Sequence, residues 1–67
     1  MATGIVKTWQ TRAELDICLW HSEQTDFYTV TTRDLRYNTH SEHKVYRNVQ
    51  DAIKEGARRA RLYYFYQ

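Results

Sequence analysis

Apolar and polar residues alternate with a period of two through the first half of the chain. Apolar side chains recur at every second position over residues 13–19, and the positions between them are mostly polar. Such alternation is typical of a strand with one buried face. Residues 11–14 also fit a capping box that would open a short helix, but the length of the alternation favours a strand. Residues 26–32 are rich in Phe, Tyr, Thr and Val, which predicts a second strand.

These two strands predict a hairpin around a polar loop at residues 22–25. In that register one face of the hairpin is apolar. The other face pairs Trp20 with Phe27 and Glu14 with Arg33, and aromatic pairs and opposite charges both stabilise neighbouring strands. A shift by one residue would move the apolar side chains to the wrong face.

Two further segments complete the predicted sheet, and a helix follows them. Residues 43–47 predict a third strand, and residues 5–10 predict either a further strand or an extension of the first. Asn48 is a good helix N-cap, and Asp51 lies in the first turn, where a negative charge is favourable. We therefore expect an α+β fold: an antiparallel sheet of three or four strands with one C-terminal α-helix packed on one face. Residues 1–67 are expected to form a single small domain.

The C-terminal segment, residues 48–67, has the period of an amphipathic helix. Small side chains on its inner face would let the helix lie close to the sheet. Gly56 costs about 1 kcal/mol of helix propensity relative to alanine, which is tolerable where the missing side chain permits that approach. The predicted inner face consists of Val49, Ala52, Ile53, Gly56, Ala57, Ala60, Tyr63 and Tyr64.

The outer side of this helix carries basic residues. A helix that continues to Gln67 would expose Leu62 and Phe65 beside them, and mixed basic and apolar surfaces are typical of recognition sites. The alternative is a helix that ends near Arg61, with residues 62–66 as a strand or a packed tail. The charges alone also fit an ordinary solvated face, because basic residues late in a helix complement its dipole. Lys54, Arg58, Arg61 and Phe65 follow one another at i, i+4, i+7 and i+11, and Arg59 flanks them.

The sheet face away from the helix is a second candidate binding surface. We expect Trp20 and Phe27 at one end of this face, with Tyr46 near them. Exposed aromatic side chains anchor many protein interfaces, and they also stack on the bases of single-stranded nucleic acids. Residues 5–10 would cover these aromatics equally well, as would a second copy of the protein, so homodimerisation is an alternative.

The charge of the chain is unevenly distributed. The net charge is +2, but residues 1–32 have two basic and four acidic residues, a net of −2. Residues 33–67 have eight basic and four acidic residues, a net of +4. This asymmetry suggests that one end of the molecule faces an acidic partner.

Composition also limits the cellular setting. With Cys18 as the one cysteine, no intramolecular disulfide can form, which favours a reducing compartment. The N-terminus has no apolar run of signal-peptide length, and no stretch approaches the roughly 20 apolar residues of a membrane span. We expect a cytoplasmic protein, or one of the host cytoplasm if a phage encodes it, without a membrane partner.

No residue pattern predicts catalysis, a metal or a cofactor. His40, Glu42 and His43 lack the spaced partner set of a structural zinc site. Cys18 has no base beside it, since His21 would point to the other face of the strand. Two glycines cannot form a phosphate-binding loop. We therefore expect no catalytic residues, no metal and no cofactor.

A small sheet backed by one helix resembles the DNA-reading domains of some phage integrases and plant AP2-type factors. The sheet face of those domains enters the major groove, and their sequence signatures are absent here. Glu14 and Asp16 on that face would lie unfavourably close to phosphates. We expect a non-enzymatic protein-binding module of the adaptor or inhibitor type, of the kind that phages or mobile elements encode. Its partner would be a larger protein or nucleoprotein with an acidic surface. The alternative is a DNA- or RNA-binding domain that uses the basic helix and the sheet aromatics.

Overall fold

Four antiparallel strands followed by one helix make up the computed structural model, which describes residues 3–64. Each strand pairs with its neighbours along the chain, and the helix packs on one face of the sheet. This confirms the predicted α+β fold, and it shows the N-terminal segment to be a separate fourth strand. The elements are β1 (Thr3–Gln10), β2 (Leu15–Ser22), β3 (Tyr28–Asp34), β4 (Thr39–Tyr46) and α1 (Val49–Tyr64).

The register between β2 and β3 differs by two residues from the predicted one. Arg33 lies opposite Asp16, so the predicted pair of Arg33 with Glu14 is wrong. Trp20 and Phe27 are not opposite each other either. Because the difference is an even number of residues, every side chain keeps its predicted face, and the apolar face of the hairpin is preserved.

The hairpin loops explain this difference in register. Near its end, each of the three loops holds a residue with positive φ: Glu14 (58°), Asp26 (60°) and Asn38 (55°). Glycine usually occupies such positions, although Asn and Asp tolerate them well. The chain has no loop glycine to mark the turn, and the β2–β3 loop closes one residue later than the prediction.

The core lies between α1 and the sheet face that α1 covers. Ile17, Leu19 and Val30 from the two central strands are buried there together with Ala52 from the helix. Partly buried side chains surround this centre, namely Trp9, Tyr28, Tyr46, Val49, Ile53, Ala60 and Tyr63.

Gly56 is buried where α1 crosses the indole ring of Trp9 in β1. A Cβ atom at this position would lie 2.9 Å from Cε3 of Trp9 and closer still to two other ring atoms. Real Cβ atoms do not approach other atoms so closely. The missing side chain of Gly56 therefore permits the close approach of helix and sheet that the sequence predicted.

The two ends of α1 can be compared with the predictions for the N-cap and for the last helical residue. The side-chain oxygen of Asn48 accepts a hydrogen bond from the backbone N–H of Gln50 at 2.7 Å, which confirms the N-cap. The helix continues to Tyr64, so the alternative of a helix ending near Arg61 is wrong for residues 62–64. Residues 65–67 lie outside the described part of the chain.

Two helix residues lie on faces other than the predicted ones. Ala57 is exposed, whereas the prediction placed it on the inner face. Arg59 is only 6% exposed, although the prediction placed it beside the outer basic residues. Its guanidinium extends beneath the helix, where it donates to Oε2 of Glu55 at 2.7 Å and to the carbonyl oxygen of Val30 at 3.4 Å. These acceptors compensate the burial of its charge.

A bulge in β4 adds a carboxylate to this polar layer. The register of β4 against β3 changes between Val30 and Thr32, and Glu42 has a φ of 55°. Its carboxylate accepts hydrogen bonds from the hydroxyls of Thr32 at 3.0 Å and Tyr63 at 3.2 Å. The bulge therefore directs Glu42 to the helix side of the sheet and ties β4 to the C-terminal part of α1.

Candidate protein-binding surfaces

The sheet face away from α1, here called the open face, is covered by no other element within residues 3–64. One line of cross-strand neighbours runs over all four strands on this face, and we call it the apolar row. Its outer members Ile5 and Val45 are 47% and 59% exposed. The apolar row consists of Ile5, Trp20, Thr29 and Val45, each opposite the next.

Hydrogen bonds hold the indole of Trp20 in place on the open face. Its Nε1–H donates to Oγ1 of Thr31 at 3.0 Å. The same hydroxyl shares a hydrogen bond with Nδ1 of His40 at 3.1 Å. The rings of Trp20 and His40 also meet edge to face, with centroids 5.4 Å apart. The indole is therefore fixed before any partner arrives, which lowers the entropic cost of binding.

An open groove of about 250 Å³ lies beside this indole. Its lining combines one indole and two imidazole rings with three threonines, so a partner side chain would meet both apolar surface and hydrogen-bonding groups. Such a combination is typical of specific binding sites. The groove is lined by Thr3, Trp20, Thr29, Thr31, His40 and His43.

The charges at the far end of the open face are balanced. Asp16 lies directly opposite Arg33, whose Nε–H donates to the side-chain oxygen of Asn38 at 2.9 Å. Glu14 lies in the β1–β2 loop and pairs with Arg36 at 3.5 Å instead. The open face therefore has neither the strong positive charge of a polyphosphate-binding surface nor a pair of carboxylates.

The predicted sheet aromatics occupy three different environments. Trp20 belongs to the apolar row, but Tyr46 packs against the core on the helix side of the sheet. The expectation that Tyr46 lies near Trp20 is therefore wrong. Phe27 precedes β3 and is half-buried, with the guanidinium of Arg47 5.4 Å from its ring centroid.

The predicted helix residues lie on the opposite side of the molecule from the open face. Lys54, Arg58, Arg61 and Leu62 are all exposed on the outer side of α1. Phe65 lies outside the described residues. The structure thus presents two separate candidate surfaces, one on the outer side of the helix and one on the outer side of the sheet.

The apolar row and the groove together form the open-face site. Sequence reasoning did not identify Thr3, Ile5, His40, His43 and Val45 as members of this site. Ile5 and Val45 belong to the edge strands β1 and β4, and each edge strand contains a register irregularity. Because an extra residue in a bulge reverses the alternation of faces beyond it, period-two reasoning cannot carry through these strands. The two histidines were noted for metal chemistry and not as neighbours of Trp20.

Metal binding or thiol chemistry within residues 3–64 would depend on clusters of ligating side chains and on the single thiol, Cys18. The described residues include no group of three or more His, Cys, Asp or Glu side chains that could hold a metal ion. Cys18 is 1% exposed, and burial, reinforced by the charge of Asp16, raises the pKa of its thiol. A thiol of this kind is a poor nucleophile. Within residues 3–64, no helix is both long enough and apolar enough to cross a membrane.

Comparison with known proteins gives no relative from which a function could be inferred. No protein-family model, no curated protein and no solved structure matches this chain.

Proposed function

We propose that the protein is a non-enzymatic module that binds a larger protein partner on the open face of its sheet. The observation that carries this proposal is the apolar row beside the groove. Aromatic and aliphatic side chains at the centre of a surface, with polar groups around them, are the usual anchors of protein interfaces. The fixed indole of Trp20 would be the central anchor.

The charge of the open face favours a protein over a nucleic acid. Nucleic-acid binding draws most of its affinity from cations placed against phosphates. On the open face Arg33 has Asp16 directly opposite, so the two formal charges cancel. The open face therefore suits a partner surface of apolar side chains and neutral polar groups, which does not need charges to pair with.

The accessibility of the nucleophiles supports a non-enzymatic role. Cys18 is 1% exposed, so its thiol cannot approach a bound substrate without a rearrangement of the sheet. Thr31 lines the groove, but it is 2% exposed and its hydroxyl already accepts a hydrogen bond from the indole of Trp20. His40 is the imidazole nearest to Thr31, and its Nδ1 is already engaged with that hydroxyl. The hydroxyl of Thr31 and the imidazole of His40 therefore serve to position the indole of Trp20.

A nucleic-acid-binding domain is the second candidate function. The observation that favours it is the exposure of Lys54, Arg58 and Arg61 on α1. In that case the helix would lie along the phosphate backbone, and binding would weaken steeply with added salt.

Site-specific photo-crosslinking in the cells that naturally produce the protein tests the first proposal. Val45 is replaced by p-benzoylphenylalanine, which places the reactive group on the open face. We expect a discrete protein adduct from position 45. The matched control carries the same residue in place of Tyr37, a 71% exposed loop residue away from the groove, and should give no adduct of that size.

A second substitution links the adduct to the groove. His43→Glu places a negative charge at an exposed groove position and should abolish the adduct, because the partner would have to bury that charge. Equal adducts from positions 45 and 37 would contradict the proposal. A nuclease-sensitive adduct from position 45 would establish nucleic-acid binding in its place.

A further inference from the structure

The exposed side of α1 carries a continuous stripe that the proposed function does not use. Its members lie at i, i+3, i+4, i+7 and i+8, so they form one ridge along the helix. We call this ridge the outer stripe. It consists of Lys54, Ala57, Arg58, Arg61 and Leu62, and every member is exposed.

Glu55 controls the charge of the outer stripe. Its carboxylate accepts two hydrogen bonds from Arg58, at 2.9 and 2.8 Å, and one from Arg59 at 2.7 Å. Arg58 is therefore largely neutralised and fixed in place. Lys54 and Arg61 form no ion pair with any residue in the described part of the chain. These two cations lie about 10.5 Å apart along the helix axis, two turns from each other.

The centre of the outer stripe is small and its C-terminal end is apolar. Ala57 lies between the two unpaired cations and presents only a methyl group. Leu62 is 54% exposed on the same ridge. The axes of two packed helices lie about 8–10 Å apart, and the distance depends on the side chains at the contact. The small side chain of Ala57 permits a close approach of this kind.

We propose that the outer stripe binds an acidic amphipathic helix of a protein partner. Carboxylates two turns apart on that helix would face Lys54 and Arg61. An apolar side chain between them would rest on Ala57, and another beyond them would contact Leu62. Charge complementarity and the two-turn spacing select this occupant. A polyphosphate would find only two unpaired cations and would gain nothing from Leu62.

This inference adds a function to the one proposed above. The outer stripe and the open face lie on opposite sides of the molecule, so two partners can bind at once without contact between them. A module with two such surfaces would bridge two macromolecules. Because the surfaces share no residue, failure of one proposal leaves the other standing.

Titration of the isotopically labelled full chain with a synthetic peptide tests the inference. The probe is a 20-residue amphipathic helix with glutamates two turns apart and leucines between them. The control peptide has lysine at each glutamate position. With the acidic peptide we expect saturable shifts in the amide resonances of Ala57 and Leu62, and none at Thr29 and Val45. The lysine peptide should produce no shifts.

Two pairs of variants distinguish a docked helix from general charge attraction. Ala57→Gln keeps the charge but blocks close approach, and it should weaken binding about tenfold, whereas Ala57→Ser should not. Lys54→Glu with Arg61→Glu should abolish binding. Lys7→Glu with Lys44→Glu changes the net charge equally and should leave most of the affinity. Far-UV circular dichroism checks that each variant is folded.

Three results would overturn the inference. One is an Ala57→Gln protein that binds the acidic peptide as tightly as the wild type. Another is an equal loss of affinity in the two double variants, which would mean that only net charge matters. The third is a duplex oligonucleotide that binds the outer stripe more tightly than the peptide in the same buffer, which would assign this surface to nucleic acid.

Discussion

At Gly56 a single missing methyl group determines how closely α1 lies on the sheet. On an exposed helix surface, replacing glycine by alanine stabilises a protein by about 1 kcal/mol. Here the new methyl group would overlap the ring of Trp9, and the helix or the indole would have to move. Overpacking of this kind costs about 1–3 kcal/mol.

We therefore predict that Gly56→Ala lowers the free energy of unfolding in urea by up to about 2 kcal/mol, because the cost of overpacking exceeds the gain in helix propensity. Ala57→Gly at the exposed neighbouring position serves as the control. It should cost about 1 kcal/mol through helix propensity alone. A Gly56→Ala protein more stable than the wild type would contradict the packing of Trp9 against α1.

Individual residues also show where sequence reasoning fails. Glu14 and Glu42 adopt positive φ, which glutamate rarely does, so nothing in their identity marks a turn or a bulge. Arginine is usually found at the protein surface, yet hydrogen-bond acceptors on Glu55 and Val30 allow Arg59 to lie beneath the helix. The position of Arg59 depends in part on an acceptor in β3, which lies 29 residues away along the chain and is therefore outside any local sequence pattern.

At the scale of elements, the layer of charged groups between α1 and the sheet makes stability depend on pH. The two hydrogen bonds from Arg58, and then the one from Arg59, lower the pKa of Glu55 to about 2. A lowered carboxyl pKa means that the folded state prefers the ionised form. The resulting stabilisation is fully present above the ordinary glutamate pKa near 4.5 and is lost as the pH falls through about 2.

We predict that Glu55→Gln lowers the free energy of unfolding by about 2 kcal/mol at pH 7, because Arg59 would stay buried without its counter-charge. The difference between the two proteins should shrink steadily from pH 5 to pH 2. Urea unfolding at several pH values measures it. Arg58→Ala, which removes only the exposed partner, should cost less than about 1 kcal/mol. A Glu55→Gln deficit that is the same at pH 7 and pH 2 would refute this account.

The order and type of the elements could be predicted because they follow from local periodicity. The period-two alternation predicts β2, and the cap at Asn48 together with the 3.6-residue period predicts α1. The open-face site could not be predicted in full. Its position depends on the register of four strands, two of which contain irregularities that reverse the alternation.

At the scale of the whole molecule, one helix covers one side of a four-stranded sheet and leaves two surfaces exposed. The open face is apolar at its centre and balanced in charge, whereas the outer stripe is basic. Within residues 3–64 the core lies between α1 and the sheet, so both surfaces are supported by the same buried residues. This arrangement suits the binding of a partner on either surface, as proposed above.

The central claim is that the open face binds a protein partner. Its most direct test uses the partner that is captured by crosslinking from position 45. The affinity of this partner is measured for two variants, each of which gains one glutamate. We predict that His43→Glu, in the groove, weakens the complex at least about tenfold, while Tyr37→Glu in the β3–β4 loop leaves it unchanged. Both variants should melt at the wild-type temperature. Equal affinities for His43→Glu and the wild type would show that the groove is not the binding site.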